Sequence, residues 1–437
     1  MAERTISQTR LFEWLTGDDD SRMCKDIPDA ACQEQPRNFF LHLFAALGNK
    51  LADELSSARL VLPWLMGIIG APVWMVGLLV PIREAGALLP QIFVAGFIRP
   101  MPRRKWVWVA GAVLQAGCAF VLALLALLGA GTTGGALVLG ALVLLSLARG
   151  VSSIATKDVM GKTIAKRRRG TLMGYSGSVA GAVTLAAGGV LMLFGDRPGN
   201  WALAALLAIA ALGWLLNALC VARIKEEAGA VDGGQNAWTS IKYGLSLLKH
   251  DRAFLHFNVS RALLLSSALA LPYLALLGQQ QSGTDLGNLG LLVVVSGLAA
   301  LVASPVWGKL ADRSSRRVMC YAATGTALGC ALGASLVWLP GEWANSVVPY
   351  ALIYALLVIV HHGVRLGRKT YLVDIATQDD RALYVALSNT LTGILMLAVG
   401  GVVGALAQWL GTATLLGALA LTAVGALASA YRLPEVE

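Results

Sequence analysis

The chain has 437 residues, of which 57% are hydrophobic and 14% charged. Soluble domains carry about 25% charged residues, and no single soluble core of this length could bury so much apolar surface, which excludes a soluble enzyme. The net charge of +10 does not point to nucleic acid: Lys and Arg fall in short loops between apolar runs, with no basic helix face and no interleaved aromatic ladder.

Residues 1–38 are polar, with Asp18–Asp20 in the middle, and show no signal peptide. They read as a cytoplasmic tail. Cys24 and Cys32 lie in it, at a spacing that fits no zinc pattern, and read as free cytosolic thiols. The other cysteines, Cys118, Cys220, Cys320 and Cys330, fall in apolar runs and read as small core residues.

Six membrane spans are expected near 40–66, 73–98, 106–129, 135–157, 172–194 and 201–223. Six more follow near 254–278, 287–308, 318–339, 346–366, 387–410 and 412–431. The clearest stretch runs from Trp106 to Ala155, where only Arg149 is charged; it holds two spans of about 20 residues around a Gly-rich turn, Gly129–Gly135. The fold class is therefore all-α, with twelve transmembrane helices in two pseudo-symmetric six-helix bundles. The bundles cover 39–223 and 254–431, joined by a linker at 224–253, with a short tail at 432–437. Within the linker, Trp238, Ile241, Leu245 and Leu248 have the spacing of an amphipathic helix on the membrane surface.

The first span is decided by an internal repeat. Hydropathy alone selects Leu60–Ile82, leaving only fourteen residues, Ala85–Ile98, for the second span. As a helix these rise about 21 Å, too short for a hydrocarbon core of about 30 Å. Leu62-Pro63-Trp64-Leu65 matches Leu271-Pro272-Tyr273-Leu274, and the same offset puts Asn49 on Asn258 and Ser57 on Ser266. The proline is expected at the far end of a span in both halves. The first helix then runs through Lys50, Asp53, Glu54 and Arg59. A second repeat aligns Gly181–Gly189 with Gly393–Gly401 and brings Lys157 onto Lys369 and Arg169 onto Arg381. Parallel repeats around a central site are a recurring transporter plan. The loops at 99–105, 157–171, 223–253, 309–317 and 365–386 hold 23 Lys or Arg, against Arg197 alone on the opposite side. This predicts a multi-pass protein of the cell (inner) membrane with both termini in the cytoplasm.

Between the eighth and ninth spans stands Gly308-Lys-Leu310-Ala311-Asp312-Arg313-Ser-Ser-Arg316-Arg317. It resembles the signature loop of the major facilitator superfamily, Gly-x-Leu-Ala-Asp-Arg-x-Gly-Arg-Arg/Lys, at every position except Ser315. Gly308 is expected to permit close helix approach. Asp312 is expected to accept from Arg groups or sit at a helix start, and Arg316 and Arg317 to meet phosphates and carboxylates. The resemblance implies a gating loop that holds the bundles in one access state. The first-half counterpart, Gly96–Lys105, keeps the Gly and the basic end but has Pro100 in place of the Asp, which marks a divergent member. The fifth span lacks the Gly-Pro-x-x-Gly-Gly pattern of drug–proton antiporters, and Arg149 is followed at once by Gly150.

Ionisable groups at membrane depth are costly and usually face a cavity or a partner. The candidates are Asp53, Glu54 and Arg59 in the first span, Arg83 and Glu84 in the second, Arg149 in the fourth, Arg261 in the seventh, and His361 and His362 in the tenth. The resemblance implies that spans one, four, seven and ten line the central cavity. Asp53 near Arg149 resembles a proton-coupling pair; the alternative is a local set in which Lys50 pairs with Asp53 and Glu54. Arg83 and Glu84 are adjacent and point apart, so at least one needs a partner on another span. His361 and His362 bind substrate, carry protons or lie near headgroups.

The expected function is secondary transport of a small solute, possibly anionic, coupled to protons, by a monomer in the lipid bilayer, with no nucleic-acid partner. The alternative is a non-transporting sensor or assembly partner whose tail is the interaction module. No catalytic motif, cofactor motif or metal-ligand pattern is present in the sequence.

Overall fold

The structure, a computed structural model, describes residues 29–89, 101–193, 199–229, 251–311, 313–338, 345–375 and 381–435, with the single positions 12, 27, 98 and 343. Every regular element among them is helical. After a short turn at Asp29–Gln33, the first half comprises α1 (Gln35–Leu55), α2 (Val61–Ile68), α3 (Val73–Leu88), α4 (Lys105–Leu128), α5 (Gly131–Thr163), α6 (Lys166–Leu193) and α7 (Gly199–Arg223). The second half comprises α8 (Arg252–Leu263), α9 (Ser266–Ser282), α10 (Leu286–Ala311), α11 (Ser315–Ser335), α12 (Val347–Ile375), α13 (Arg381–Leu410) and α14 (Thr412–Tyr431).

Ten stretches are long and apolar enough to cross a membrane, counting α8 and α9 as one. The remaining two spans are the broken, charged first helix, α1 with α2, and α3, described over 16 residues. Together they make twelve spans in two six-helix bundles. Large apolar side chains such as Phe120, Leu212, Leu328, Leu352 and Leu421 are exposed on the outside, as expected where lipid, and not water, is the solvent.

In the first half α7 packs on α4 and α1; in the second, α14 packs on α11 and α12 on α10. The halves meet along two seams, α3 against α13 and α6 against α10. All described chain ends at the linker and termini share one side, the terminal face. There Asn38 Nδ2 donates to Lys225 O at 3.1 Å, and Tyr371 Oη to Pro434 O at 3.0 Å.

Several sequence expectations need correction. Pro63 lies near the far end of the first span, five residues before Ile68, but it opens a second helical piece and does not close a continuous helix. It is the third residue of α2, where a missing N–H is one of the orphan donors of a first helical turn. Pro272 lies inside α9, with ten helical residues after it. The span boundaries at the terminal face were also drawn too short. α5 runs to Thr163 and α12 to Ile375, because a helix continues past the apolar run when its exposed backbone is still satisfied internally. Cys32 is disulfide-bonded, which overturns the free-thiol reading for that residue; Cys24 lies outside the described residues. Cys118, Cys220 and Cys330 are buried. The proposed amphipathic helix at Trp238–Leu248, and Gly96, Arg99 and Pro100, also lie outside the described residues.

Candidate functional site

The first helix breaks at Ser56–Leu60. The Ser56 hydroxyl donates back to Ala52 O at 2.7 Å, a local bond that competes with helical continuation. Pro63 lacks the N–H that would reach the carbonyl four residues earlier, on Arg59. That carbonyl is taken instead by the Tyr354 hydroxyl of α12, at 3.3 Å. The seventh helix breaks at the related place, between α8 and α9. Broken backbone at membrane depth is tolerated where protein or a cavity surrounds it, and the first break borders the space between the bundles.

At the first break lies a cavity of about 210 Å³, lined by Asp53, Glu54, Ser57, Ala58, Arg59, Val80, Arg83, Glu84, Ala87, Arg149 and Arg365. Asp53 Oδ1 accepts from the guanidiniums of both Arg83 and Arg149. Arg59 donates to Glu84 Oε1 at 2.6 Å. Arg83 and Glu84, neighbours on α3, thus both reach the first helix, one on each side of the break. Asp53 is held from two other helices and forms no ion pair with Lys50, which stays within electrostatic reach of Glu54 one turn on.

Other predicted residues lie elsewhere. Arg261 is buried and donates to Ser388 Oγ at 2.6 Å and Asn389 Oδ1 at 2.9 Å on α13; it is not part of the cavity lining. His361 Nδ1 lies 3.1 Å from Ser267 Oγ, beside the second break, and its buried Nε2 has no partner among the described residues. His362 is half-buried and lines no described cavity. Arg149 on the fourth span and His361 on the tenth therefore each touch the broken helix of their own half.

Sequence reasoning missed Arg365. It was counted with a cytoplasmic loop because the apolar run ends before it. The structure carries α12 on to Ile375, about two and a half turns further, and brings Arg365 to the cavity wall. The available signal was spacing: Arg365 follows His361 by four residues, one helical turn on the same face.

At the terminal face the signature loop is partly described; Asp312 lies outside the described residues. A Cβ on Gly308 would meet nothing within 4 Å, so the expected close approach at that glycine is absent here. Arg316 pairs with Glu435 Oε2 at 2.5 Å and donates to Leu433 O at 3.1 Å, both within its own half. Arg313 and Arg317 are exposed, and the Arg317 N–H donates to the helix-capping Ser314 Oγ at 3.1 Å. In the first half the carboxylate that Pro100 replaces is supplied from another place. Glu226, just after α7, accepts from the N–H groups of Arg104 at 3.0 Å and Lys105 at 2.8 Å. These are the first donors of α4, where the helix dipole favours an anion. Among the described residues no group of three or more His, Cys, Asp or Glu is placed to hold a metal.

Residues 262–437 match the model of the Major Facilitator Superfamily. That match covers the second half of the chain. Solved structures share the fold over nearly the whole chain. The nucleoside transporter NupG, as a point mutant, is 14% identical with a TM-score of 0.70, covering 90% of this chain and 99% of that one. A POT family transporter in complex with a thioalcohol-conjugated peptide is 15% identical at 0.70, covering 93% and 98%. The xylose transporter XylE from E. coli, in an inward-open conformation, is 13% identical at 0.65, covering 92% and 97%. No curated protein matches the chain. The shared fold and the ten long apolar stretches are those of a multi-pass membrane protein.

Proposed function

We propose that this chain is a secondary transporter of the major facilitator type and carries a small solute with an anionic group across the cell (inner) membrane, as a monomer, in symport with protons. The observation that supports this most is the shared carboxylate: Asp53 accepts from both Arg83 and Arg149. One negative charge holds two guanidiniums. A proton on Asp53 removes that charge and leaves both with unused donors beside the cavity. An anionic solute then supplies the countercharge that the carboxylate withdrew. Proton and anion favour each other's binding, and linkage makes that preference reciprocal.

The access state fits this reading. Among the described residues, hydrogen bonds between the halves lie on the side away from the termini. Gln279 Nε2 donates to Trp64 O at 2.9 Å, Trp74 N to Gln408 Oε1 at 3.3 Å, and Tyr354 to Arg59 O. The far side is closed. The excess of Lys and Arg on the terminal side supports placing the termini in the cytoplasm, which makes this conformation inward-facing. The disulfide at Cys32 weighs against that placement, since cytosolic thiols are kept reduced; the charge asymmetry spans five loops and outweighs it.

The test is uptake into proteoliposomes with an imposed pH gradient. A radiolabelled organic acid should accumulate when the proton gradient runs inward. Asp53→Asn should still exchange labelled for unlabelled solute and lose the accumulation. Accumulation that persists in Asp53→Asn removes Asp53 from coupling, and transport of a neutral sugar unaffected by Arg149→Gln removes the anionic solute.

A further inference from the structure

The cavity wall carries seven charged groups. Asp53, Glu54 and Glu84 face Arg59, Arg83, Arg149 and Arg365. Five are engaged: Asp53 with Arg83 and Arg149, and Glu84 with Arg59. The two left over are Glu54 on α1 and Arg365 on α12. Both side chains are exposed to the cavity, and among the described residues neither forms an ion pair or a side-chain hydrogen bond. They have opposite sign and belong to opposite halves. Arg59, Arg365, Lys50 and Arg83 all lie within electrostatic reach of Glu54, Arg59 foremost, yet none of them meets it in an ion pair.

We propose that Glu54 and Arg365 are the two poles of a site for a zwitterion, a small amino-carboxylic acid whose ammonium group meets Glu54 and whose carboxylate meets Arg365. The proposal rests on the reading above that this cavity is the solute site. It adds Arg365 to Arg83 and Arg149 as a guanidinium that faces the anionic group, and it gives that group a cation on the same solute. Three observations carry it.

First, the leftover charges are complementary to a zwitterion and to no simpler ion. A solute with a carboxylate alone would satisfy Arg365 and leave Glu54 facing a like charge. An amine alone would do the reverse. A bound solute covers both groups, and covering a charge without giving it a partner is costly, so each single-charge solute meets a penalty that the zwitterion does not.

Second, the size fits. A cavity of about 210 Å³ holds about seven waters at ~30 Å³ each and is smaller than the ~300–1,000 Å³ of sites for drug-sized ligands. It admits a solute of amino-acid size.

Third, the poles sit on different bundles. A solute that bridges them ties the halves together only when it is present, which is what couples closure of the terminal side to occupancy. Lys50, one turn before Glu54, and Arg368, one turn after Arg365, lie outside the cavity lining and do not replace either pole.

The experiment is a thermal-shift titration of the full-length protein in lipid nanodiscs. The probes are glycine, β-alanine and γ-aminobutyrate, with butyrate and butylamine as single-charge controls. At least one zwitterion should bind about tenfold or more tightly than both controls, the scale expected when an analogue leaves a site's polar group unpaired. Glu54→Gln should bring that zwitterion down to the level of butyrate, and Arg365→Gln down to the level of butylamine. Glu54→Asp should restore part of the difference, which a merely misfolded variant would not. Butyrate binding as tightly as the zwitterions, unchanged in Glu54→Gln, overturns the zwitterion and leaves the anionic solute standing. Binding of none of the zwitterions overturns the proposal; butyrate binding that depends on Arg149 would then still support the anionic reading, and its absence would remove that too. The opposing possibility is that Glu54 and Arg365 close on each other as a gate without solute. A double-mutant cycle on the melting temperature of the solute-free protein that shows strong coupling between them overturns the site.

Discussion

Glu226 and Glu435 lie 209 residues apart and occupy equivalent places in the two halves. The same offset relates Leu62-Pro63 to Leu271-Pro272. Each glutamate follows the last helix of its half and reaches the start of the third. Glu226 accepts from the first N–H groups of α4 and pairs with Lys162 at 3.2 Å. Glu435 accepts from the hydroxyl of Ser314, the N-cap of α11, and pairs with Arg316. Each ties the end of a bundle to its middle at the terminal face.

The two glutamates differ in burial, and that sets their energetic weight. The Glu226 side chain has no exposure, whereas that of Glu435 is 37% exposed. Breaking a buried pair costs about 3–5 kcal/mol because an uncompensated charge stays behind, whereas exposed pairs contribute about 0–1 kcal/mol. Glu226→Ala is therefore expected to lower the melting temperature of the purified protein far more than Glu435→Ala. Equal shifts would show that the two carboxylates do not differ in this way.

A second prediction concerns proton linkage at Asp53. If protonation frees Arg83 and Arg149 for the solute, apparent affinity for an anionic solute tightens as pH falls. The sign follows from the charge: the ionised carboxylate competes with the solute for the same guanidiniums. Asp53→Asn mimics the protonated state. It should bind tightly at all pH values, by about 5–150-fold over wild type at high pH, the usual size of a coupling between sites, and its affinity should no longer follow pH. Equilibrium binding to nanodisc-embedded protein over a pH series measures this. A wild-type affinity that is flat with pH would refute it.

How much of this was readable beforehand depends on the level. The two-bundle plan was legible because repeats and apolar runs are linear properties of the chain. The repeat also placed Asp53, Glu54 and Arg59 in the membrane, against the best hydropathy peak. The break beside them was not legible: Pro63 was taken as a helix end, while its effect is felt four residues earlier, at the Arg59 carbonyl. The partners of Arg83 and Glu84 could be required but not identified, since pairing across helices depends on rotation about the helix axis. Glu226 and Arg365 were missed because both stand in segments that read as charged loops. Only packing shows that one reaches a helix start and the other a cavity.

A third prediction addresses the pair on the other side of the break. Arg59 lies between α1 and α2 and holds Glu84 of α3 at 2.6 Å, with side chains 25% and 34% exposed. This pair fixes the geometry of the break. Arg59→Gln and Glu84→Gln should each destabilise the protein, and a double-mutant cycle should return a coupling of about 0.5–3 kcal/mol, the range for residues in one charged network. The reversed pair, Arg59→Glu with Glu84→Arg, should recover stability in part. Additive effects in the cycle would mean that the contact carries no weight.

The last prediction concerns how the halves move. Along the seam between α3 and α13, a Cβ on Gly77 would lie 2.7 Å from the Gly404 Cα, and one on Gly400 would lie 2.9 Å from the Gly77 carbonyl oxygen. Along the seam between α6 and α10, a Cβ on Gly290 would lie 2.7 Å from the Met192 backbone nitrogen. Real Cβ atoms do not approach backbone this closely, so these helices touch at positions where only glycine fits. In a bilayer such small-residue contacts are what lets helices pack closely. They are also the surfaces that must slide if one bundle rocks against the other. Gly404→Val inserts a branched side chain into the seam without touching a charge of the cavity. It is expected to abolish flux in proteoliposomes while the protein still elutes as a single species, because each bundle keeps its own core and only their contact is wedged. Gly401→Val is the control, since a Cβ there meets nothing within 4 Å; it should transport as wild type does. Equal flux in the two variants would show that close approach along this seam is not required for transport.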